Sequence, residues 1–510
     1  MKAALISVSD KAGILPLARA LVDVGLTILS TGRTAAALRN ARIPVQDVGE
    51  LTGFPELLGG RVKTLHPKIH GGILWLRGNE EHERQRRDFG LPEIRFVAVT
   101  FYPFDETIRK PGVSTEEAIE QIDIGGCALV RSAAKNYRDV TVLVDPQDYP
   151  EVIRELSQSG ETSLELRQRL AVKAFARVSA YDAVIAGYLQ KCFGIAELPS
   201  VWSLPLLDGQ GLRYGENPHQ RAMLYGEFWR HFQQLHGKEL SYNNLLDIDS
   251  GVGLLADFSE RPTVAVLKHN TPCGIGSAAT LREAWEKALA TDREAPFGGV
   301  VAVNRPVDLP LAEALSEIFT EVVLAPGFQP EALALLQKKK NLRLLCADFA
   351  RLPSPLFSVR SVVGDSILAQ EPDSAPLESE PRRVVSRRSP TPEERAAMEF
   401  AWRVCKHVRS NAIVFGREDR TLAIGAGQMS RVDAVRVAIA KAKHAGLSLA
   451  GSVVASDAYF PFPDSVVLAA EAGASAVIQP GGSIRDAEVI AAADERGLAV
   501  VFTGRRHFRH

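Results

Sequence analysis

The sequence predicts an α/β protein: a doubly wound parallel sheet at the N-terminus, followed by two related α/β subdomains. Three observations carry this. Short β-branched runs alternate with helical patterns over the first ~150 residues. A Gly-punctuated pattern in the remainder recurs after roughly 150 positions. The length, 510 residues, suggests roughly three folding units at ~150 residues each.

In chain order, LISVS is followed by a helical pattern from Lys11 to Val22, with Ile14, Leu17, Ala18, Leu21 and Val22 on one face, and then by LTILST. RFVAVTF and VTVLV supply later strands, and a helical stretch from about Leu164 to Leu189 closes the unit. GIAELPSVWSLP reads as a linker, which places the first boundary near residue 195 and the first domain at 1–195. Ligands of such a sheet are expected beyond the carboxyl ends of its strands.

The repeat then begins. GIGSA (274–278), a helix, GGVVAVN (298–304), a helix and EVVLAPG ending at Gly327 form one copy. GAGQM (425–429), a helix, GSVVASD (451–457), a helix and SAVIQPG ending at Gly481 form the other. They define subdomains at 196–375 and 376–510. Between the copies, roughly 353–394 is rich in Pro, Ser, Glu and Arg and reads as an irregular connection with one short strand.

Sixty Lys+Arg against 61 Asp+Glu give a formal net charge of −1, so no global field is present to hold duplex nucleic acid. No apolar run reaches the ~18 residues of a membrane span, and MKAALISVSDKAG turns polar too early for a secretory signal. A cytoplasmic protein without nucleic-acid or membrane partners is expected. Cys127, Cys192, Cys273, Cys346 and Cys405 lie far apart without a C-x-x-C pair, which argues for reduced thiols and against a thiolate zinc site.

SVSDK (Ser7 to Lys11) and TGRT (Thr31 to Thr34) each sit where a strand hands over to a helix, presenting hydroxyls and N–H groups suited to a phosphate. Ordinary N-capping explains either turn alone. GGRVKTLHPKIHGG gathers Arg61, Lys63, His66, Lys68 and His70 between glycines, as a solvated basic loop or as backbone approaching an anion. Tyr102 ends a strand, Asp123 precedes a glycine pair, and Lys135 lies on the following helical segment. Convergent, they would form an acid/base and oxyanion set.

In the second region, the apolar strand VAVL runs into Lys268-His269-Asn270 and a Thr-Pro-Cys-Gly turn. Pro-Cys at Cys273 invites a zinc deaminase reading, but residue 276 is Gly and H-x-E occurs nowhere, so Cys273 is read as a packing residue. LRYGENPHQ, KELSYNNLLDIDS, FGG, RSNAIVF, IGAGQMSR, SDAYFPFPD and the terminal RRHFRH complete the pattern.

SVSDK, ELTGFPELLGGRVKTLHPKIHGG, YPF, QIDIGG and AAKN, in this order, resemble the inosine monophosphate (IMP) cyclohydrolase domain of the bifunctional purine biosynthesis family. The second-region motifs resemble that family's aminoimidazole carboxamide ribotide (AICAR) transformylase domain. The resemblance implies a methylglyoxal-synthase-like first domain and two cytidine-deaminase-like subdomains. It further implies formyl transfer from the cosubstrate 10-formyltetrahydrofolate to AICAR, then dehydrative closure of the formamido ribotide (FAICAR) to IMP, with no metal required. For cyclohydrolase chemistry it points to Lys63, Tyr102, Asp123 and Lys135, with Asp123 and Lys135 handling protons and Lys63 or Tyr102 the oxyanion. Ser7, Ser9, Lys11, Thr31, Gly32, Thr34, Arg61, Thr64, Gly125 and Gly126 match its nucleotide-binding segments. For formyl transfer it implies His269 as general base, Lys268 as charge stabiliser and Asn411 as orienting group. Arg213, Tyr214, Asn244, Phe297, Gly298 and Arg506 match substrate-binding positions, and Arg431 and Asp464 folate-side positions. A homodimer with a composite transformylase site is implied as well.

Three positions depart from the family's pattern: Arg33 where a second glycine is common, Thr100-Phe101 before YPF, and APFGG without the usual preceding serine. Arg33 and Thr100 keep open a transformylase whose first domain only binds nucleotide. A non-enzymatic ribotide-binding regulator is the third reading.

Overall fold

In the computed structural model, which describes every residue except 56–57, 196–197 and 354–356, the chain forms two compact units, Met1–Leu207 and Asp208–His510. The expected boundary near residue 195 therefore falls short, because the segment up to Leu207 goes with the first unit. Residues 196–197 of the expected linker, 354–356 of the expected connection and the Glu56-Leu57 pair of the first-domain motif lie outside the described residues.

In the first unit, β1 (Lys2–Val8), β2 (Thr27–Ser30), β3 (Val45–Asp47), β4 (Glu93–Thr100) and β5 (Thr141–Leu143) pair in parallel in the order β3-β2-β1-β4-β5. Leu5, Ile6, Ile28, Leu29 and Val97 are buried, which fits near-continuous apolar strands covered on both faces. Winding proceeds outward from β1 in both directions, so the carboxyl ends of β1 and β4 open a crevice. The Ile14–Asp23 helix buries Ile14, Leu17, Ala18 and Leu21 as its spacing predicts. It starts after Lys11, because Gly13 takes φ 66° as its N-cap and leaves Lys11 in the turn. The expected closing helix spans Leu164–Cys192 and buries Leu166, Leu170, Ala174 and Val178.

The second unit carries two small hairpins, β6–β7 (Gln210–Leu212, Ala222–Leu224) and β14–β15 (Ser358–Ser361, Ile367–Gln370). Its remaining strands are β8 (Gln233–His236), β9 (Thr263–Lys268), β10 (Thr271–Ser277), β11 (Gly299–Val303), β12 (Thr320–Ala325), β13 (Arg343–Cys346), β16 (Arg383–Val384), β17 (Ile413–Arg417), β18 (Arg420–Gly425), β19 (Val453–Ser456), β20 (Ala476–Gln479) and β21 (Ala499–Phe502). These twelve form one sheet in the order β16-β21-β20-β19-β17-β18-β10-β9-β11-β12-β13-β8. The order is a palindrome of two six-strand halves, which is the sequence repeat written in topology. The expected connection holds β14, β15 and β16 where one short strand was foreseen.

The expected division at 375/376 does not separate two bodies, since one hydrophobic core spans both halves. Ile248 and Leu254 of the Tyr242–Ala256 helix, Trp402 and Cys405 of the Pro392–Cys405 helix, and one face of strands from both halves pack in it. On the other sheet face each half keeps its own core, around Val264 and Trp285 in one and Phe415 and Val435 in the other. The glycines of the repeat serve this packing. A Cβ at Gly274 would lie 2.1 Å from the Ala288 carbonyl oxygen, and one at Gly425 only 1.9 Å from that of Ala434. They let helix and strand approach closely and are not phosphate cradles.

Candidate active sites

A cavity of about 490 Å³ opens at the carboxyl ends of β1, β2 and β4. Ser7, Ser9, Lys11, Thr31, Gly32, Thr34, Arg61, Lys63, Thr64, Tyr102, Asp123, Gly125 and Gly126 all line it, together with Arg33, Thr100 and Glu120. Thr31 is the N-cap of the Gly32–Asn40 helix without a side-chain cap bond, so first-turn N–H groups remain available to an anion. The Thr34 hydroxyl instead donates to the Val8 carbonyl at 2.9 Å and ties the two turns together. Lys11 donates to the Val8 and Ser9 carbonyls at 3.2 and 3.3 Å. Thr100 accepts the Asp10 N–H at 3.0 Å and pairs with the Ser9 hydroxyl at 3.2 Å. That departure from the family pattern therefore braces the SVSDK turn.

Asp123 is the N-cap of the Ile124–Lys135 helix and accepts the Gly126 N–H at 2.7 Å. A Cβ at Gly126 would come within 2.4 Å of the Asp123 carboxylate, so the turn needs glycine there. Burial pushes the Asp123 carboxyl above its ordinary value, against the pull of the Gly126 and Tyr102 N–H groups. Raising a carboxyl in this way favours its neutral form and suits it to proton exchange. Lys63 reaches the start of the Gly32–Asn40 helix: its Nζ lies 3.6 Å from where a Gly32 Cβ would stand. Arg61 is engaged by Glu120, with Nε 3.2 Å from Oε1 and a second bond from Nη2 to Oε2.

Lys135 is the exception. It occupies the last turn of the helix that Asp123 begins, about 18 Å away at 1.5 Å per residue, and lines a separate surface groove with Leu74, Tyr137, Val172 and Phe175. The chain does not bring it to its own cavity, because one straight helix separates the two residues.

In the second unit, strand directions carry most of the expected residues to one end of the long sheet. The carboxyl ends of β9, β19 and β21 meet the amino ends of β11, β12, β13 and β17 there. Lys268 pairs with Thr271 across the β9–β10 hairpin, leaving His269 and Asn270 as a two-residue turn with φ 54° and 61°. Lys268 Nζ donates to the Phe297 carbonyl at 2.8 Å. Gly298, with φ 75°, donates its N–H to the Phe319 carbonyl at 2.8 Å, and the Phe297 and Phe319 rings lie 5.1 Å apart. Asn244 donates to Glu321 at 2.8 Å, and Glu321 faces Arg343 at 3.8 Å. Arg213 stacks 4.6 Å over the Tyr214 ring and donates to its hydroxyl.

Asn411 lies at the amino end of β17, three strand spacings or about 14 Å from β9. Its Oδ1 accepts from Arg431 at 2.7 Å and its Nδ2 donates to the Gln428 carbonyl at 2.9 Å. Arg431, expected on the folate side, is buried instead. It forms an ion pair with the fully buried Asp457 and donates to Ser456 at 2.8 Å, so it braces Asn411. Asp464 is exposed at the start of the Asp464–Glu471 helix, and Arg506 lies 4.7 Å over the Phe508 ring. Next to it, His507 is buried between Asp373 and Glu380. Cys273 packs against a core, and burial pushes its thiol up to about 12, which removes it as a nucleophile at neutral pH.

Sequence reasoning missed Tyr181, Glu120, Asp247, Glu321, Arg343 and Asp457. Asp247 and Asp457 stand inside motifs already singled out, whereas Tyr181 sits on a long helix with no local signal. Among the described residues, no group of three or more His, Cys, Asp or Glu side chains is placed to hold a metal ion, and no helix is long and apolar enough to cross a membrane.

Two family models match the chain, the MGS-like domain over residues 13–128 and the AICARFT/IMPCHase bienzyme over residues 133–441. The bifunctional purine biosynthesis protein PurH of Chloroflexus aurantiacus is 57% identical over 509 residues, covering 99% of this chain and 98% of its own length. Proteins of the same name from Myxococcus xanthus and Enterococcus faecalis are 51% and 49% identical, covering 99% and 100% of this chain and 100% of their own lengths. Fold and sites thus define a two-part α/β enzyme, an MGS-like domain joined to a duplicated catalytic unit. The chain belongs to the AICARFT/IMPCHase bienzyme family. It is a bifunctional AICAR formyltransferase and IMP cyclohydrolase, acting in the last two steps of purine biosynthesis.

Proposed function

We propose that the cavity of the first unit is the cyclohydrolase site, and that the His269 end of the long sheet is the formyltransferase site with 10-formyltetrahydrofolate as donor. Convergence of Asp123, Lys63 and two phosphate-suited turns on one cavity carries the first assignment. The ribotide phosphate rests on the Gly32–Asn40 helix N-terminus with Ser7, Ser9, Lys11 and Thr31. The carboxamide nitrogen attacks the formyl carbon, and Lys63 or Tyr102 holds the developing oxyanion. Asp123 carries one proton from the attacking nitrogen to the oxyanion, giving a hydroxyl, and that hydroxyl departs as water with the formamide N–H proton as the ring C=N bond forms. Arg33 adds positive charge to the cavity lining.

In formyl transfer the 5-amino group attacks the formyl carbon and His269 takes its proton. Lys268, with one of its three N–H donors held by Phe297, stabilises the tetrahedral oxyanion, and as that collapses the C–N bond to folate breaks and the leaving nitrogen takes up the proton that His269 accepted. Asn411 orients the ribotide carboxamide, Arg213, Tyr214, Asn244 and Arg506 hold the ribotide, and Asp464 faces the folate. The separation between His269 and Asn411 within one chain supports a homodimer in which two copies complete each site. Cytoplasmic location fits these small-molecule substrates.

The test supplies AICAR and 10-formyltetrahydrofolate to purified protein and follows tetrahydrofolate and IMP separately. His269→Ala is expected to lose tetrahydrofolate release while still closing supplied FAICAR, and Asp123→Asn to do the reverse. Loss of both activities in either folded variant would overturn this division of sites.

A further inference from the structure

The β9–β10 turn asks for an explanation that its own two residues do not provide. His269 and Asn270 both adopt left-handed backbone geometry, φ 54° and 61°, in a two-residue turn where glycine is the usual solution. The Asn270 side-chain oxygen is buried without a hydrogen-bond partner among the described residues, so it does not secure the turn through an Asx bond. What holds the turn comes from elsewhere in the chain. Asp247, buried on the Tyr242–Ala256 helix, accepts the Asn270 N–H at 2.6 Å and so ties the turn to that helix. Its helix is fixed by Ile248 in the core and by the Ser241–Asn244 capping box, so the anchor is itself rigid.

We infer that Asp247 is the positioning residue of formyl transfer, holding the His269–Asn270 turn in left-handed geometry and so fixing where the His269 imidazole is presented. This rests on the reading of His269 as the general base. A mispointed base loses rate steeply, since proton transfer requires hydrogen-bond reach.

The experiment compares Asp247→Ala, Asp247→Asn, His269→Ala and Asp247→Ala/His269→Ala in the full chain, reading kcat and KM from tetrahydrofolate release, with closure of supplied FAICAR as an internal control. Asp247→Ala is expected to lower kcat for formyl transfer by about 10²-fold, with KM for AICAR changed less and ring closure untouched. Asp247→Asn keeps an acceptor oxygen for the turn and should recover most of kcat. In the His269→Ala background, Asp247→Ala should cost nothing further. Unchanged kcat in both Asp247 variants, with His269→Ala inactive, would overturn the inference alone. Full activity of His269→Ala would overturn the reading beneath it. An additive loss in the double variant would reduce Asp247 to a structural part of the fold and also overturn the inference.

Discussion

The Tyr181 hydroxyl accepts the backbone N–H of Asp123 at 2.9 Å and donates to the Gln121 carbonyl at 3.1 Å. A residue on the long Leu164–Cys192 helix thereby fixes the turn that delivers the buried carboxyl to the first cavity. Tyr181→Phe keeps the ring packing against Phe101, 4.9 Å away, and deletes only this bridge. We expect a fall in ring closure of about tenfold, with formyl transfer unchanged, measured as IMP formed from supplied FAICAR.

Asp123→Asn should separate activity from stability. Burial raises the folded-state pKa of Asp123, so the native state binds the proton more tightly than the unfolded chain. Its contribution is present below the ordinary carboxyl pKa and is lost as pH rises through the raised value. At neutral pH an uncharged amide removes that cost. The variant is expected to lose ring closure by about 10²- to 10⁴-fold while melting no lower than the parent at pH 7. Calorimetry beside the IMP assay checks both.

Lys135→Ala is expected to leave ring closure within about threefold, because a whole helix stands between Lys135 and Asp123. A loss as large as that of Asp123→Asn would mean that the ammonium works in the cavity of a second copy. Mixing the two inactive variants would then restore part of the activity.

Arg431→Ala should act on stability first. It leaves Asp457 buried without its ion-pair partner and releases Asn411, a loss of about 3–5 kcal/mol in urea unfolding. A ligand contact on the surface would instead weaken folate binding at unchanged stability.

His507 gives a pH signature. Burial works to lower its pKa, but hydrogen bonds and charge from Asp373 and Glu380 outweigh burial and raise it. The stabilisation is fully present below the ordinary imidazole pKa and is lost as pH rises through the raised folded value. The melting temperature of His507→Gln should therefore fall further below the parent at pH 6 than at pH 9. A gap that stayed constant across this range would count against a charged His507.

Much of the first unit was legible in sequence, because amphipathic spacing and strand-to-helix turns are local. The Ile14–Asp23 face, the parallel strands and most residues of the Asp123 cavity lie where their motifs placed them. The repeat was also visible, but not its consequence. Short Gly/Val strings show that two halves are related. They do not show that β10 and β18 pair at Gly276 and Arg420 and fuse the halves into one sheet with a shared core.

The sequence by itself determined the elements, the duplication and the chemical types at each site, since these depend on neighbours within a turn or two. Only the tertiary structure decided which of those residues meet. It sent Lys135 to the far end of the helix that Asp123 begins and buried Arg431 against Asp457. It also set Asp247 beneath the His269 turn and Tyr181 beneath Asp123. Such meetings are fixed by helix length, strand direction and the need of every buried charge for a partner, and none of these acts between sequence neighbours.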